Sequence, residues 1–397
     1  MKFSHILLTT LLPPLSHAAS CVSPRDNTTT TTATTSTLNL NYTTLSHRAL
    51  TGLNIDFFNT TAQRWSVQDA WWLSAIALTN LLSYSLATKT TEYLPQITSV
   101  INAQSQPLPW WPQGNGSFRA DSTDDTAWWA LALLQTYDLT GNATYLSLAQ
   151  ADERYIYSYW SNATCRGGVV QDIRRNAYKN AISNELYISL AAGLYLRTKE
   201  GVYLTRAKQA WEWFGQSGMI NGGDLVNDGL TEDGSCRNNN QTEWSYNQGV
   251  ILGGLVDLYH ATGNTTYLTT ARKIADAAVA SSSPLISSSS SSSSSNDTTG
   301  MLTESCEGAK TCNNDQQAFK GIFAYNLAKL DREFPGERPY KGVLTKWAES
   351  MYSYDRAVVK RAGEEGDLYD VSWGGEYETG SLGRQVSGLG LLVALIE

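Results

Sequence analysis

Histidine is almost missing from this chain of 397 residues: there are four, and two of them, His5 and His17, lie in the first eighteen positions. His47 and His260 alone are too few for a zinc site, and they make histidine-based acid/base chemistry a poor expectation. Cysteine is also sparse, with five residues and no Cys-x-x-Cys pair, which likewise argues against a zinc site. Basic residues are in deficit, 29 Lys and Arg against 37 Asp and Glu, a formal net charge of −8. Such a balance argues against nucleic acid as a partner. No apolar run is long enough to span a bilayer, because every such stretch is broken by Gly, Asn or charge.

What the chain has in excess is aromatic surface, 13 Trp and 21 Tyr. Flat amphipathic rings serve packing first, and they also line sugar-binding clefts.

The amino terminus has a secretory layout. Met1-Lys2 precedes an apolar run from Ile6 to Leu15, and Ser16-His17-Ala18 supplies a small-residue cleavage site, so residues 1–18 are expected to be a signal peptide. Residues 19–43 form a Thr-rich leader expected to lack order, and Ser281 to Ser295 is a poly-Ser insertion. Asn-x-Ser/Thr sequons begin at Asn27, Asn41, Asn59, Asn115, Asn142, Asn162, Asn240, Asn264 and Asn296, as in a secreted glycoprotein. In an oxidising compartment five cysteines leave one without an intrachain partner, and Cys21, beside the cleavage site, is the expected odd one. Of the three pairings open to the other four, Cys306 with Cys312 and Cys165 with Cys236 is the one expected.

Repetition gives the architecture. Segments with Tyr-Leu near their start recur at 91, 143, 201 and 265, with a weaker copy at Pro339-Tyr340, and each reads as an amphipathic helix. Between them lie helices apolar nearly all round, beginning at Trp65, Asp124, Ile182, Tyr246, Asp315 and Ser381. With a first amphipathic helix near Thr44 to Phe58 these make six helix pairs over residues 44–397. The expected fold is all-α, an (α/α)6 toroid with an inner and an outer ring. Links such as Thr140-Gly141-Asn142 are tight, whereas Ser161 to Ile182, Gly215 to Ser245 and Ser283 to Asn314 are long, so the working face is expected where inner helices begin.

At the start of the second inner helix stand Asp124 and Asp125, followed by Trp128 and Trp129. In a first helical turn both carboxylates can face the cavity, where the dipole favours negative charge and neighbouring side chains lie about 5 Å apart. Two close acids in a partly dry cleft titrate apart, one keeping its proton. The plainer reading is an Asp pair capping a helix, with the two Trp rings either flooring a sugar subsite or packing inward. A shift of 122 residues aligns Tyr246 and Asn247 with the pair, and Asn180, Asn184, Gln248, Asp315 and Gln316 fall near the same level. Such a polar ring suits a polyhydroxylated ligand.

These stretches, the run from Asp124 to Asn142, Tyr178 to Ser183, Leu225 to Ser235, Trp244 to Asn264 and Phe319 to Phe323, together resemble glycoside hydrolase family 76 from about Thr60 onward. The resemblance implies the toroid and a retaining, endo-acting hydrolysis of α-1,6-mannosidic bonds in mannan backbones, without metal or cofactor. It implies Asp124 as nucleophile, Asp125 as general acid/base, and Asp228, Tyr246, Asn247 and Gln248 as substrate contacts; Trp128, Trp129 and Asn180 are expected to join them from their places at the inner-helix starts. Gly167-Gly168 is followed by Val169-Val170 where the family often carries bulky aromatics. A monomer is expected, secreted or wall-associated. Two rivals remain: a cell-wall transglycosylase acting on glycosylphosphatidylinositol glycans, whose anchor tail is not evident in GLGLLVALIE, and a non-catalytic mannan-binding wall protein.

Overall fold

A computed structural model describes residues 38–175, 177–288 and 299–397. The expected signal peptide, most of the Thr-rich leader, Cys21 and much of the poly-Ser insertion lie outside the described residues. Twelve α-helices alternate between two rings among those residues. The outer ring comprises α1 (Tyr42–Phe57), α3 (Leu94–Gln104), α5 (Ala143–Tyr157), α7 (Gly201–Gln216), α9 (Thr266–Val279) and α11 (Lys341–Tyr354). The inner ring comprises α2 (Trp71–Thr88), α4 (Thr123–Thr140), α6 (Ala181–Thr198), α8 (Ser245–Thr262), α10 (Phe319–Asp331) and α12 (Leu382–Ala394). Inner helices contact one another in order, and α12 returns to α2, so the ring closes. The fold is the expected (α/α)6 toroid.

The two rings differ because their sequences do. All but four residues of α6 are buried, as a helix shielded on both sides must be, whereas α9 buries only Tyr267, Leu268, Ala271, Ile274, Ala275 and Ala278, one stripe at helical spacing. The tight links behave as their sequence suggests. Gly141 (φ +68°) and Gly263 (φ +72°) close α4 and α8 in the left-handed conformation, each N–H donating to the carbonyl four residues back. Asn142 Oδ1 then accepts from the Thr144 N–H and starts α5. The eleven links between consecutive helices therefore sort by end: shorter turns at one face, longer loops at the other.

Three boundaries differ from expectation. The first helix starts at Tyr42, inside the segment read as leader, because Asn41 caps it through the Thr44 N–H. Inner helices expected at Trp65 and Asp315 begin at Trp71 and Phe319; Trp65 pairs instead with Phe58 in a two-residue ladder between β1 (Phe58–Asn59) and β2 (Arg64–Trp65), and Gln316–Ala318 form a 3-10 turn. The disulfides join Cys165 to Cys236 and Cys306 to Cys312, the expected pairing.

The all-α expectation missed a hairpin. Strands β3 (Arg356–Arg361) and β4 (Glu364–Tyr369) pair antiparallel across Ala362-Gly363, both with positive φ. The hairpin lies on α1 at very short range: a Cβ on Gly52 would stand 2.3 Å from the Asp367 carbonyl oxygen, and one on Gly366 2.2 Å from the Gly52 nitrogen. Arg48 locks the contact from above by hydrogen bonds to Asp367 at 2.8 and 2.9 Å. Backbone cannot yield here as a side-chain tip can, so Gly366→Ala is expected to lower the stability by about 1–3 kcal/mol through overpacking. Denaturant unfolding monitored by tryptophan fluorescence checks this; an unchanged midpoint would show that the helix and hairpin can separate freely.

Candidate active site

The long loops gather over the N-terminal ends of the inner helices, and a cavity on that face opens at the head of α4. Ser122 caps the helix, its hydroxyl accepting from the Asp125 N–H and donating to Asp124 Oδ1. The loop after α5 is fastened to the same turn. Thr123 donates from its N–H to the Gln171 carbonyl at 3.0 Å and from its hydroxyl to the Val170 carbonyl at 2.6 Å. Those bonds bring Gln171 over the helix, where its Nε2 reaches Asp124 Oδ2 at 3.4 Å. Lys179, almost wholly buried, ties the loop's other limb by donating to the carbonyls of Ser161, Gly167 and Gly168.

Asp124 and Asp125 open into a cavity of about 370 Å³. Its walls are Trp72 from α2, Trp128 from α4, Tyr246 and Trp244 at the head of α8, and Phe319 of α10; Asp315, Asn313 and Gln316 complete the rim. The rings form a continuous belt. Trp72 stacks on Trp128 (centroids 5.6 Å apart), approaches Phe319 at 6.5 Å, and Phe319 lies flat against Tyr246 at 3.7 Å. A third carboxylate joins the pair here, since Trp72 Nε1 donates to Asp315 Oδ1 at 2.9 Å.

The two adjacent acids have different surroundings. Burial raises the Asp124 pKa to about 6, and hydrogen bonds from the Asp125 N–H, Gln171 and Asn180 hold it down against a larger rise. Asp125 is enclosed by protein but retains an open edge on the cleft, and it receives no comparable set of donors. Burial first, then the charges of Asp124, Asp315 and Asp121, push its pKa well above the ordinary aspartate value. Asp125 is therefore the proton holder, and Asp124 ionises first. Burial likewise raises Asp315, opposed by the Trp72 N–H.

Other residues singled out from sequence separate into three groups. Trp128 and Tyr246 line the cleft. Asn180 caps α6 through the Ser183 N–H and supports Asp124, while Asp228 is not among the lining residues and accepts from the Tyr178 hydroxyl; burial first, then the Asp228 charge, raises the Tyr246 pKa. Trp129, Asn247 and Gln248 do not reach the cleft, and their expected role as ligand contacts is corrected here. Trp129 is fully buried, sandwiched between Trp71 (4.9 Å) and Phe118 (5.1 Å). Gln248 spends its amide on the Val226 N–H and on the Val226 and Trp244 carbonyls, which fastens the loop before α8. Asn247 is fully buried, one residue round the helix from the cleft-facing Tyr246. Among described residues no group of three or more His, Cys, Asp or Glu is arranged to hold a metal.

Gln171 and Trp72 were not singled out from sequence. Gln171 has no local signature. Trp72 did have one: a Trp-Trp pair opens α2 at Trp71-Trp72 and another lies in the second turn of α4 at Trp128-Trp129, and the four rings stack crosswise, Trp71 on Trp129 in the core and Trp72 on Trp128 at the cleft.

A raised carboxyl pKa has a stability consequence with a definite sign. The folded pKa of Asp125 lies above its unfolded value near 3.8, so its contribution is neutral below the unfolded value, turns increasingly unfavourable as pH rises from there, and is fully unfavourable above the folded pKa. Asp125→Asn is expected to stabilise the protein by about 0.5–2 kcal/mol at neutral pH, with the gain vanishing near pH 4. Thermal unfolding at a series of pH values reads this; a constant or absent gain would contradict the burial of charge argued for Asp125.

Several known proteins are similar to this chain. Mannan endo-1,6-alpha-mannosidase DCW1 of Candida albicans is 27% identical over 343 residues, 82% of this chain and 72% of that protein. Mannan endo-1,6-alpha-mannosidase DFG5 of Saccharomyces cerevisiae is 27% identical over 291 residues, 70% of this chain and 60% of its own length. A putative mannan endo-1,6-alpha-mannosidase of Schizosaccharomyces pombe is 29% identical over 265 residues, 64% of this chain and 57% of that protein, so the chain spans less than two thirds of some relatives. Among solved structures, an inactive variant of the α-1,6-mannanase GH76A of Salegentibacter sp. HEL1_6 in complex with α-1,6-mannotetrose superposes with a TM-score of 0.76 at 23% identity, covering 90% of this chain and all of that one. Dfg5 from Chaetomium thermophilum in complex with glucosamine gives 0.68 at 20% identity, covering 83% and 80%. Residues 30–396 match the sequence profile of glycosyl hydrolase family 76, and the chain belongs to that family.

Proposed function

We propose that this protein is a retaining, endo-acting glycoside hydrolase that cleaves α-1,6-mannosidic bonds within mannan backbones. The observation that carries the reading is the adjacent acid pair at the head of α4, one acid supplied with hydrogen-bond donors and the other with neighbouring negative charge. Relatives named mannan endo-1,6-alpha-mannosidases and a neighbour holding α-1,6-mannotetrose support the substrate.

The chemistry follows from the asymmetry. Asp125 donates its proton to the glycosidic oxygen while an Asp124 oxygen bonds to the anomeric carbon, and the carbon–oxygen bond to the leaving sugar breaks. Asp125, now a carboxylate, takes a proton from water; the hydroxide attacks the anomeric carbon and releases Asp124. Trp128, Trp72 and Tyr246 present ring faces to the sugars, and Asn180 and Gln171 keep Asp124 ionised and oriented. Asp228 acts on the cleft through its charge at Tyr246. No cofactor enters this scheme, and a single chain suffices. Export to the medium or the wall accords with the two disulfides and with the sequons.

A wall transglycosylase would pass through the same mannosyl-enzyme and differ only in giving it to a sugar hydroxyl. The relation to Dfg5, solved with glucosamine, keeps that acceptor in view. Incubation with linear α-1,6-mannan should release shorter oligosaccharides whose first-formed anomer is α. Asp124→Asn should abolish turnover, and Asp125→Asn should lower kcat by about 10²–10⁴-fold on mannan, less on a substrate whose leaving group needs no proton. Activity should fall below about pH 6 as Asp124 protonates and fall again at higher pH as Asp125 loses its proton. A β-configured first product would overturn the retaining assignment; intact mannan with Asp124-dependent transfer to glucan would select the transglycosylase.

A further inference from the structure

A second concave site lies on the outer wall, away from the acid pair. It is a groove of about 610 Å³ between the C-terminal end of α7 and the two loops that the Cys165–Cys236 disulfide joins. Gln209, Glu212 and Gln216 line it from one face of α7, Trp160 and Trp213 supply rings, and Arg166 closes one side. The rings are fixed before any ligand arrives. Trp213 Nε1 donates to the Cys165 carbonyl at 2.8 Å, and its ring covers Gly167 and Gly168 so closely that a Cβ on either would lie 2.4 Å away. Trp160 meets it edge to face, with centroids 6.0 Å apart.

Asn162 belongs to the same lining and opens the sequon Asn162-Ala163-Thr164. Trp160 Nε1 donates to Asn162 Oδ1 at 3.0 Å, which holds the amide by the oxygen that glycosylation leaves in place. Asn142 and Asn264 differ: they sit in the tight turns at the opposite face, their Oδ1 atoms capping the Thr144 and Thr266 N–H groups.

We propose that Asn162 carries an N-linked oligosaccharide and that this groove is its seat. Pyranose rings lay their C–H faces on Trp rings and offer hydroxyls to amides and carboxylates, which is what Trp160, Trp213, Gln209, Glu212 and Gln216 present. The bond formed is Asn162 Nδ2 to the sugar C1. It replaces the C1–oxygen bond of a lipid-diphosphate-linked oligosaccharide donor, the diphosphate leaving and Nδ2 losing one proton. The proposal rests on export through a glycosylating pathway and not on the cleavage chemistry at α4. Free mannan has the same pyranose chemistry, so the test separates the two sources.

The full chain would be secreted from a eukaryotic host and its glycopeptides identified by mass spectrometry, with and without endoglycosidase treatment of the folded protein. Asn162 should be occupied, and its glycan should be released at least about tenfold more slowly than that of Asn264. The exposed pair Glu212→Ala with Gln216→Ala should remove the protection while circular dichroism and mannan cleavage stay unchanged. An unmodified Asn162, or equal release in both proteins, overturns the proposal. Calorimetric binding of linear mannan to Asn162→Gln carrying Asp124→Asn, lost on adding the Glu212 and Gln216 changes, would assign the groove to free chains instead.

Discussion

An inner helix walled by neighbours on every side ends in N–H groups that have no helical partner and little water. In this toroid all six such ends point to one face, and the long loops exist in large part to satisfy them. Ser122 and Asn180 cap α4 and α6 from their own sequence. Glu304, carried by the loop after α9, reaches the Ser245 N–H and hydroxyl at the head of α8, and burial raises its pKa to about 8. Asn313 and Gln316 exchange side-chain to backbone bonds ahead of α10, and Ser381 caps α12. Polar groups are thereby concentrated at one mouth for reasons of helix chemistry alone. The same mouth is then the natural place for chemistry that needs oriented donors.

The acid pair exploits that setting. A carboxylate in a first helical turn is favoured by the dipole, and burial disfavours it. At Asp124 burial prevails and raises the pKa to about 6, while the donors from the Asp125 N–H, Gln171 and Asn180 limit the rise. Asp125 stands one residue on, where the first carboxylate is already a neighbour and Asp315 approaches from α10's leading turn, so burial and repulsion act together. Adjacent positions of one helix thus acquire opposite duties through their second neighbours, with no metal or histidine required to divide them.

Much of this was readable in the chain and some was not, for physical reasons. Helical period and Tyr-Leu repetition gave six pairs because every pair buries the same kind of face. The turns at Gly141 and Gly263 gave orientation because only a left-handed residue ends a helix so abruptly. The β3–β4 hairpin escaped because its second strand begins Glu364-Glu365 and its burial is confined to a few positions that mean something only against α1. Trp129 and Gln248 looked like ligand contacts because they neighbour cleft residues in sequence, yet on a helix the next residue turns about 100° away and, here, into the core. Gln171 was invisible, since its approach to Asp124 depends on backbone bonds from Thr123 made across a loop.

The crosswise tryptophans connect packing to the site. Trp71 and Trp129 fill the gap between α2 and α4, with Trp71 Nε1 bonded to Gln104. That stack fixes how far apart the two helix heads stand. Trp72 and Trp128 then meet one residue away, 5.6 Å apart against 4.9 Å in the core stack, forming a floor for the cleft. Beneath Trp128 a second cavity of about 330 Å³ runs down the toroid axis, so the floor is thin and depends on its neighbours for support. Trp72 supplies that support and also donates to Asp315, whose charge raises the proton affinity of Asp125. One side chain therefore sets both the surface on which a sugar ring would lie and the electrostatics of the acid beside it. A shift of Trp72 would displace floor and charge together, which makes the core stack at Trp71–Trp129 the mechanical reference for the chemistry above it.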